Sequence, residues 1–476
     1  MNNIAQNYKN IIKNLIKNRI KSLNDDIVDK IIDSISDNNQ KNYINIVASI
    51  EESVKNMIKN ILVVAFEAID QQYRDSYIRK KFYNINKSSI PRTITTIFGD
   101  ITFKRTYYQS KVNNEYIFLL DDVLGLPKYD RYDPIVKATA INIYTKTNQK
   151  IAGEIVGCEC GLINDVINNI KLTIPRQSIN NWIGNWNIPN IHYGARTTPE
   201  TLYIMADEKF LGSQDTKNDI MVKSFVVFEE NIKVSKNRNK LKNRFVFNTI
   251  SSSPWVDFVD LLYSIYDSSK IKSIYVMSDG GNWIKKNIYE LKVEDDINIK
   301  RLHCEFHFKQ AINRISTDEG VRKAIFNSFI HLPRSSFIQV LDYYQSIFPN
   351  RFDKIEAQKN YIVNNYTAIK DMLGSNIGSS MESHISHIIA RPFGSRPKGF
   401  SSKKIQKYLL INDLFNNEVN IFNLYLNSYF LNNNSPCNKI SLSVNNSDAS
   451  THNIPIVDNA HITPLYSSLK DLSYGI

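Results

Sequence analysis

An α+β chain of several domains is what this sequence predicts, on three observations. Apolar residues recur at helical spacing over residues 1–90, and helical patterns return over 133–186 and 311–378. A β-rich run with Gly and Asn at its turns lies at 91–126. From Thr201 strand and helix signals alternate, three strands leading. The 476 residues correspond to about three units at ~150 residues each. A hydrophobic content of 42% and an aromatic content of 11% supply real cores and exclude a disordered chain.

In residues 1–90, Ile11, Ile12, Leu15, Ile16, Ile20 and Leu23 repeat with helical period, and a second helical stretch runs from Tyr43 to Tyr83. The period changes at Pro91. Thr93–Phe98, Ile101–Tyr108 and Tyr116–Leu120 form a three-stranded meander over 91–126. A helical region at 127–195 holds three short helices, Asn148–Ile155, Leu162–Ile170 and Arg176–Trp186. The last carries Arg176, Gln177 and Asn180, side chains that reach base edges from a recognition helix. This is a candidate helix-turn-helix, and an ordinary helical bundle fits the pattern equally well.

Strands are expected at Thr201–Phe210, Ile220–Phe228, Arg244–Ile250, Ile271–Ser278 and Ile297–Phe306. A basic stretch, Lys233–Lys240, precedes the third. Helices are expected at Trp255–Tyr266 and Trp283–Leu291. The order β-β-β-α-β-α-β is that of a ribonuclease-H-like α/β core, assigned to 196–310 plus 379–412. Residues 311–378 form a helical insertion within it, and 413–476 a polar C-terminal tail.

Lys and Arg exceed Asp and Glu by 12, which points to a polyanionic partner, most often nucleic acid. The longest apolar run, Ile61–Phe66, is far below the ~18 residues of a membrane span, and the first residues lack a signal peptide's apolar core. Four cysteines, Cys158, Cys160, Cys304 and Cys437, exclude a disulfide scaffold and fit a reduced, cytoplasmic protein. Abundant Asn, Ile and Lys read as an AT-rich coding bias without mechanism.

Two strands end alike, Tyr203-Ile204-Met205-Ala206-Asp207 and Tyr275-Val276-Met277-Ser278-Asp279. Period-2 alternation puts Tyr, Met and Asp on one face of each. As parallel neighbours, the strands would set the two acids ~4.8 Å apart at the backbone. Carboxylates that close repel by ~4 kcal/mol at an effective dielectric near 20, and a divalent cation removes the conflict. Hard oxygen ligands suit Mg²⁺, with Mn²⁺ as a substitute. An Asp at a strand end is also an ordinary turn former. Glu208 points to the opposite face from Asp207 and ranks below it. A third acid, Glu382, sits at the edge of an apolar stripe of Met381, Ile385, Ile388 and Ile389, where a first-turn acid is also favoured by the helix dipole.

Ala206-Asp207-Glu208, Ser278–Ile284, Glu382–His387 and Ser395–Ser401 together resemble the signature blocks of the ISLre family of bacterial insertion-sequence transposases. Phe103–Tyr108 and Leu119-Leu120-Asp121 resemble that family too, and the similarity runs from about Phe98 to Ser402. The resemblance implies a DDE transposase in which Asp207, Asp279 and Glu382 take the acidic positions. Two Mg²⁺ ions would bind the scissile phosphate, water would free an element 3′-OH, and that hydroxyl would attack target DNA. The partners implied are double-stranded DNA, as terminal repeats and target, and a second copy of the chain. Cys304-Glu305-Phe306-His307 resembles a Cys-x-x-His element of related transposases and would support the core. Met381 departs from the smaller residue expected before the last acid.

Other groups carry two readings each. Cys304, His307, His384 and His387 fit either a zinc site or ordinary packing near the core. Cys158-x-Cys160 is too tight for zinc. Arg391, Arg396, Lys398, Lys403 and Lys404 form either a solvated loop or a phosphate contact. Trp283 reads as a core or helix-start contact. Two further functions compete with transposition: a ribonuclease-H-like nuclease without strand transfer, and a DNA-binding protein whose catalysis has decayed.

Overall fold

The computed structural model describes residues 43–162, 173–235, 238–375, 386–394 and 400–434, with positions 13, 14, 17, 18, 21, 25, 27–29, 32, 33, 165, 377 and 384. They divide into two compact units, one drawing on Met1–Asn190 and Asn420–Ile440, the other on Ile191–Val419. The architecture is mixed α and β. Among the described residues no helix is long and apolar enough to cross a membrane.

In the first unit, helix α1 (Tyr43–Asp75) packs Leu62, Val63, Phe66 and Ile69 on a three-stranded sheet, β1 (Tyr83–Thr96), β2 (Gly99–Ser110) and β3 (Tyr116–Ile117). Asp70 of α1 accepts the Thr106 amide at 3.0 Å and its hydroxyl at 2.6 Å. The first strand starts at Tyr83, not Pro91. Its early residues Asn84–Ser89 are exposed and its register shifts near Lys87, so no alternation marks them in the sequence. Leu119–Val123, expected as strand in part, is a helical turn, α2 of this sheet's rim. That turn buries Leu119 and Leu120 together, which alternation would send to opposite faces, and aims Asp121 at both Arg92 and Arg105.

Three helices follow in this unit: α3 (Pro134–Tyr144), capped by Asp133, α4 (Gln149–Cys160), capped by Asn148, and α5 (Arg176–Asn185). A Cβ on Gly153 would stand 2.1 Å from the Ile174 carbonyl oxygen, so the approach to α5 needs glycine there. Of the helix expected at Leu162–Ile170, all but Leu162 and Asp165 lies outside the described residues. The tail expected from 413 is not one up to residue 434. Helix α7 (Ile421–Asn434) belongs to this unit, where Ser428 accepts the Trp186 indole N–H at 2.7 Å and Tyr425 packs edge-on to the Trp186 ring. Its Asn-rich sequence hides a thin apolar stripe of Ile421, Leu424 and Tyr425.

The second unit is built on a five-stranded sheet: β4 (Thr201–Leu211), β5 (Ile220–Phe228), β8 (Phe245–Thr249), β9 (Ser273–Ser278) and β10 (Asn298–His303), in spatial order β10-β9-β4-β5-β8. β4, β5 and β8 are antiparallel neighbours, while β9 and β10 run parallel to β4. One face, through Leu202, Ile204, Ala206, Phe225 and Val276, packs on Trp255, Phe258 and Leu262 of helix α8 (Pro254–Ile265). The basic stretch Lys233–Lys240 lies in a separate hairpin, β6 (Glu230–Ser235) and β7 (Arg238–Lys242). Its Ile232 and Val234 are exposed and bury no face, so no alternating strand pattern marks it in the sequence. A short helix, α9 (Asn282–Asn287), follows β9.

Five helices fill the insertion: α10 (Glu305–Ile315), α11 (Glu319–His331), α12 (Arg334–Ile347), α13 (Phe352–Asn364) and α14 (Tyr366–Gly374). They share a core of their own around Phe308, Phe329, Phe337 and Leu341. The fifth strand ends at His303, and α10 starts where the sequence suggested strand to Phe306. Ser386–Gly394 forms π-helical turns that bury Ile388, Ile389 and Phe393.

Helix α6 (Ser402–Asn416) seals the edge of β8 with side chains. The amides of Val246, Asn248 and Ile250, alternate residues on the open edge, donate to Asn417 (2.7 Å), Asp413 (2.7 Å) and Gln406 (3.3 Å). An edge strand with free amides invites pairing with another chain, and polar side chains from one helix stand in for the missing strand. Asp413 is fully enclosed, and burial pushes its carboxyl well above the usual range. Asp413→Ala leaves the Asn248 amide and side chain without acceptors. It should cost about 2–4 kcal/mol, read by urea unfolding; a change below 0.5 kcal/mol would show that water replaces the carboxyl.

Candidate active site

The Tyr-x-Met-x-Asp blocks meet in register. Tyr203 pairs with Tyr275 and Met205 with Met277 across the parallel β4–β9 ladder, and the two tyrosine rings stack at 5.4 Å. Two residues on, Asp207 is still within β4, while Asp279 lies one residue past the end of β9. Ligand oxygens of Asp207, Glu208 and Asp279 all lie within 4.8 Å of one another. Among the described residues this is the group of His, Cys, Asp and Glu side chains close enough to share a metal ion.

Glu208 corrects the reading from alternation. Its backbone does lie on the other face, paired opposite Lys223. The flaw is that β9 stops at Ser278, so no neighbouring strand separates that face from Asp279. The Trp283 indole N–H donates to Glu208 Oε2 at 2.5 Å and holds it there. Trp283, expected as a core or helix-start contact, is both packed against the core and a partner of this acid. Gly281 lets the chain pass: a Cβ there would stand 3.2 Å from Glu208 Oε2 and 3.5 Å from Asp279 Oδ1.

Backbone amides orient both aspartates. Asp207 Oδ1 accepts the Glu208 N–H at 2.8 Å, and Asp279 Oδ1 the Gly281 N–H at 2.9 Å. Burial, then the charges of Asp279 and Glu208, push Asp207 up to about 7, against the amide bond and His307. Burial also raises Glu208. Cys304 is buried, its amide bonded to the Ser278 carbonyl at 2.9 Å. A hydrogen bond to Cys304, followed by the charges of Asp279 and Asp207, raises His307 against its burial. Cys304 and His307 thus stand beside the acids. They do not form a ligand group with His384 and His387; burial and the Arg244 charge depress His384 to about 4.

Behind the acids, burial and the Arg301 charge lower His303 to about 3, so it is neutral. Its Nε2 lies 2.9 Å from the Tyr361 hydroxyl, which donates to the Asp279 carbonyl at 3.0 Å. Neither residue carried a sequence signal, since His303 precedes a Cys-x-x-His element that drew attention first and Tyr361 lies far along the insertion.

The remaining site residues scatter. Glu382, Arg396 and Lys398 lie outside the described residues, and of Arg391 only the backbone is described. Lys403 and Lys404 are exposed in the first turn of α6. Arg176 and Gln177 are exposed on α5, Asn180 is half-buried, and Ile179 and Ile183 face inward. Gln177 donates to Asn181 at 2.9 Å along that outer face.

Three carboxylates make up this group, a donor set suited to Mg²⁺ or Mn²⁺. The raised Asp207 fixes a sign. The folded state holds this proton more tightly than the unfolded one, so stability falls as pH rises from about 4 to about 7 and levels above. Asp207→Asn should flatten that slope and stabilise the protein at pH 8 in EDTA by up to roughly 4 kcal/mol. Mg²⁺ should raise the wild-type melting temperature more at pH 8 than at pH 5. Parallel melting curves for wild type and variant would contradict both.

The sequence pattern of a family described as Uncharacterised protein family (UPF0236) matches residues 37–412. Three UPF0236 proteins of Caldanaerobacter subterraneus subsp. tengcongensis are similar over most of their length. One is 24% identical over 431 residues, 86% of this chain and 88% of the relative. A second is 23% identical over 431 residues, 86% and 82% respectively. A third, whose name joins eleven locus designations, is 23% identical over 440 residues, 86% and 87%. The acids at 207, 208 and 279 fall inside the matched region, and the chain belongs to the UPF0236 family.

Proposed function

We propose that this chain is a DDE-type transposase of an insertion sequence and that Ile191–Val419 is its ribonuclease-H-like catalytic core. The observation that carries the reading is the meeting of Asp207, on β4, with Asp279, one residue past the end of its parallel neighbour β9, their ligand oxygens within 4.8 Å. The strand order supports it: an antiparallel meander of three, with two parallel strands added beside the first. A relative whose name joins eleven loci supports it as well, because a gene copied with its element accumulates in one genome. The net charge of +12 suits a DNA partner.

On this reading Asp207 and Asp279 hold Mg²⁺, with Glu382 as the third acid of the triad. Held by these acids, Mg²⁺ would supply polarisation of the scissile phosphate and a lowered pKa at the attacking oxygen. The chain's own part is orientation. The Glu208 and Gly281 amides each fix one oxygen of an aspartate, and the carboxylates so oriented would hold the ion. His307, raised by its bond to Cys304 and by the nearby acids, stands beside them. The outer face of α5, with Arg176, Gln177 and Asn180, contacts the terminal repeats, and Lys403 and Lys404 contact phosphate. Two copies act together on the two element ends, in the cytoplasm.

A labelled duplex carrying the element end, incubated with the purified protein, tests this. We expect a nick at the element boundary with Mg²⁺ and none with EDTA. Asp207→Asn, Asp279→Asn and Glu382→Gln should each reduce cleavage by at least ~10³-fold while binding the duplex as tightly as wild type. Binding should weaken steeply with salt. Nicking that never joins the freed end to a target plasmid would favour a nuclease. Tight binding with no cleavage by the wild type would favour a decayed DNA-binding protein.

A further inference from the structure

The loop Asp279-Gly280-Gly281 is held from behind by the helical insertion. Tyr361, in the last turn of α13, donates its hydroxyl proton to the Asp279 carbonyl at 3.0 Å. A hydroxyl has one proton, so His303 Nε2, 2.9 Å away, is the donor to Tyr361. His303 Nδ1 is then a bare acceptor, and among the described residues it is buried without a hydrogen-bond partner. Asn365, one turn on, donates to the Tyr361 carbonyl at 2.8 Å and is 1% exposed. A Cβ on Gly280 would stand 2.9 Å from Asn365 Oδ1, so that side chain fills the space behind the loop. Gly280 has φ +91°, a left-handed conformation that favours glycine. The contact has no counterpart in the sheet itself: β9 has ended, and nothing in the strand ladder fixes the carbonyl of Asp279.

We propose that the insertion acts as a clamp on the active-site loop, with Tyr361, Asn365 and His303 as positioning residues that hold Asp279 in its ligating orientation. This deepens the function proposed above and rests on it for the role of Asp279, while the clamp itself is a property of the fold. A loop tethered only by its own Gly281 amide would sample other orientations, and an ion would have to order it on binding. With the clamp closed, that ordering is already complete. The five-helix insertion then has a task at the metal site besides its own packing.

Hydrogen exchange followed by mass spectrometry on the full chain tests the clamp without reference to activity. Tyr361→Phe removes one oxygen and keeps the ring; Asn365→Ala is the second variant should the first fail to fold. Tyr366→Phe, which removes a hydroxyl bonded to the Leu332 carbonyl, is the control. In either clamp variant the amides of Asp279–Trp283 should exchange roughly ten-fold faster, with the insertion core unchanged. Mn²⁺ affinity, read by electron paramagnetic resonance, should fall ~10-fold, and cleavage lost at low Mg²⁺ should return at high Mg²⁺. A merely structural role would not give that rescue. Unchanged exchange at Asp279–Trp283 in folded Tyr361→Phe and Asn365→Ala overturns the proposal. A wild type that binds no Mn²⁺ counts against the transposase reading, and the exchange data still decide the clamp.

Discussion

The parallel pairing of β4 with β9 brings three carboxylates into a space of 4.8 Å, and the second unit is organised around tolerating that. Two charges at ~4 Å repel by ~4 kcal/mol at an effective dielectric near 20, a large part of a domain's net stability. The face of the sheet that packs on α8 carries the compensation. Phe225, Trp255 and Phe258 pack there with ring centroids 4.2–6.0 Å apart, each fully buried. Burying one such ring contributes ~2–3 kcal/mol. The sheet can hold a repulsive edge because its apolar face is dense, and Trp283 joins the two by packing on that face while bonding Glu208.

The same economy of means governs the far side of the sheet. β8 has no outer neighbour, yet its edge amides are satisfied by Gln406, Asp413 and Asn417. Asparagine recurs in such places: Asn248 under Asp413, Asn417 on both the amide and the carbonyl of Val246, Asn365 behind the Asp279 loop. An amide side chain carries donor and acceptor together and can replace a strand's backbone group one for one. The abundance of Asn read as coding bias, and as composition it is. At these buried positions it does the work of backbone pairing.

What the sequence disclosed depended on how each segment meets its surroundings. β4, β5 and β9 are covered on one or both faces, so their apolar runs were legible, and the repeated Tyr-x-Met-x-Asp would set two acids side by side wherever β4 and β9 ran as parallel neighbours. β1 before Pro91 and the β6–β7 hairpin bury little and carry no such run. The strand expected at Tyr116–Leu120 ran on through two consecutive leucines that belong to a turn of helix, where Asp121 meets Arg92 and Arg105. Helix α7 was lost in polar composition because only a thin stripe of it is buried. At the site, alternation put Asp207 and Glu208 on opposite faces of β4 and did not show that the turn past β9 brings Asp279 close to both. It describes where a side chain leaves the strand and is silent on where a neighbouring strand ends.

That last point bears on how such a site can be built at all. A strand neighbour fixes a residue through backbone bonds on both sides, and a ligand beyond the strand's end has lost them. Asp279 lies one residue past β9, where the chain must also turn through a left-handed glycine to reach α9. Its position is therefore set by whatever touches the loop. Ahead of it stand Glu208 and the Gly281 amide; behind it stand Tyr361 and Asn365 of the insertion. An insertion placed elsewhere could have been shed or replaced without consequence for the acids. Entering after His303 and returning its fourth helix to the Asp279 carbonyl, it makes the geometry of the site depend on the integrity of a separate hydrophobic core.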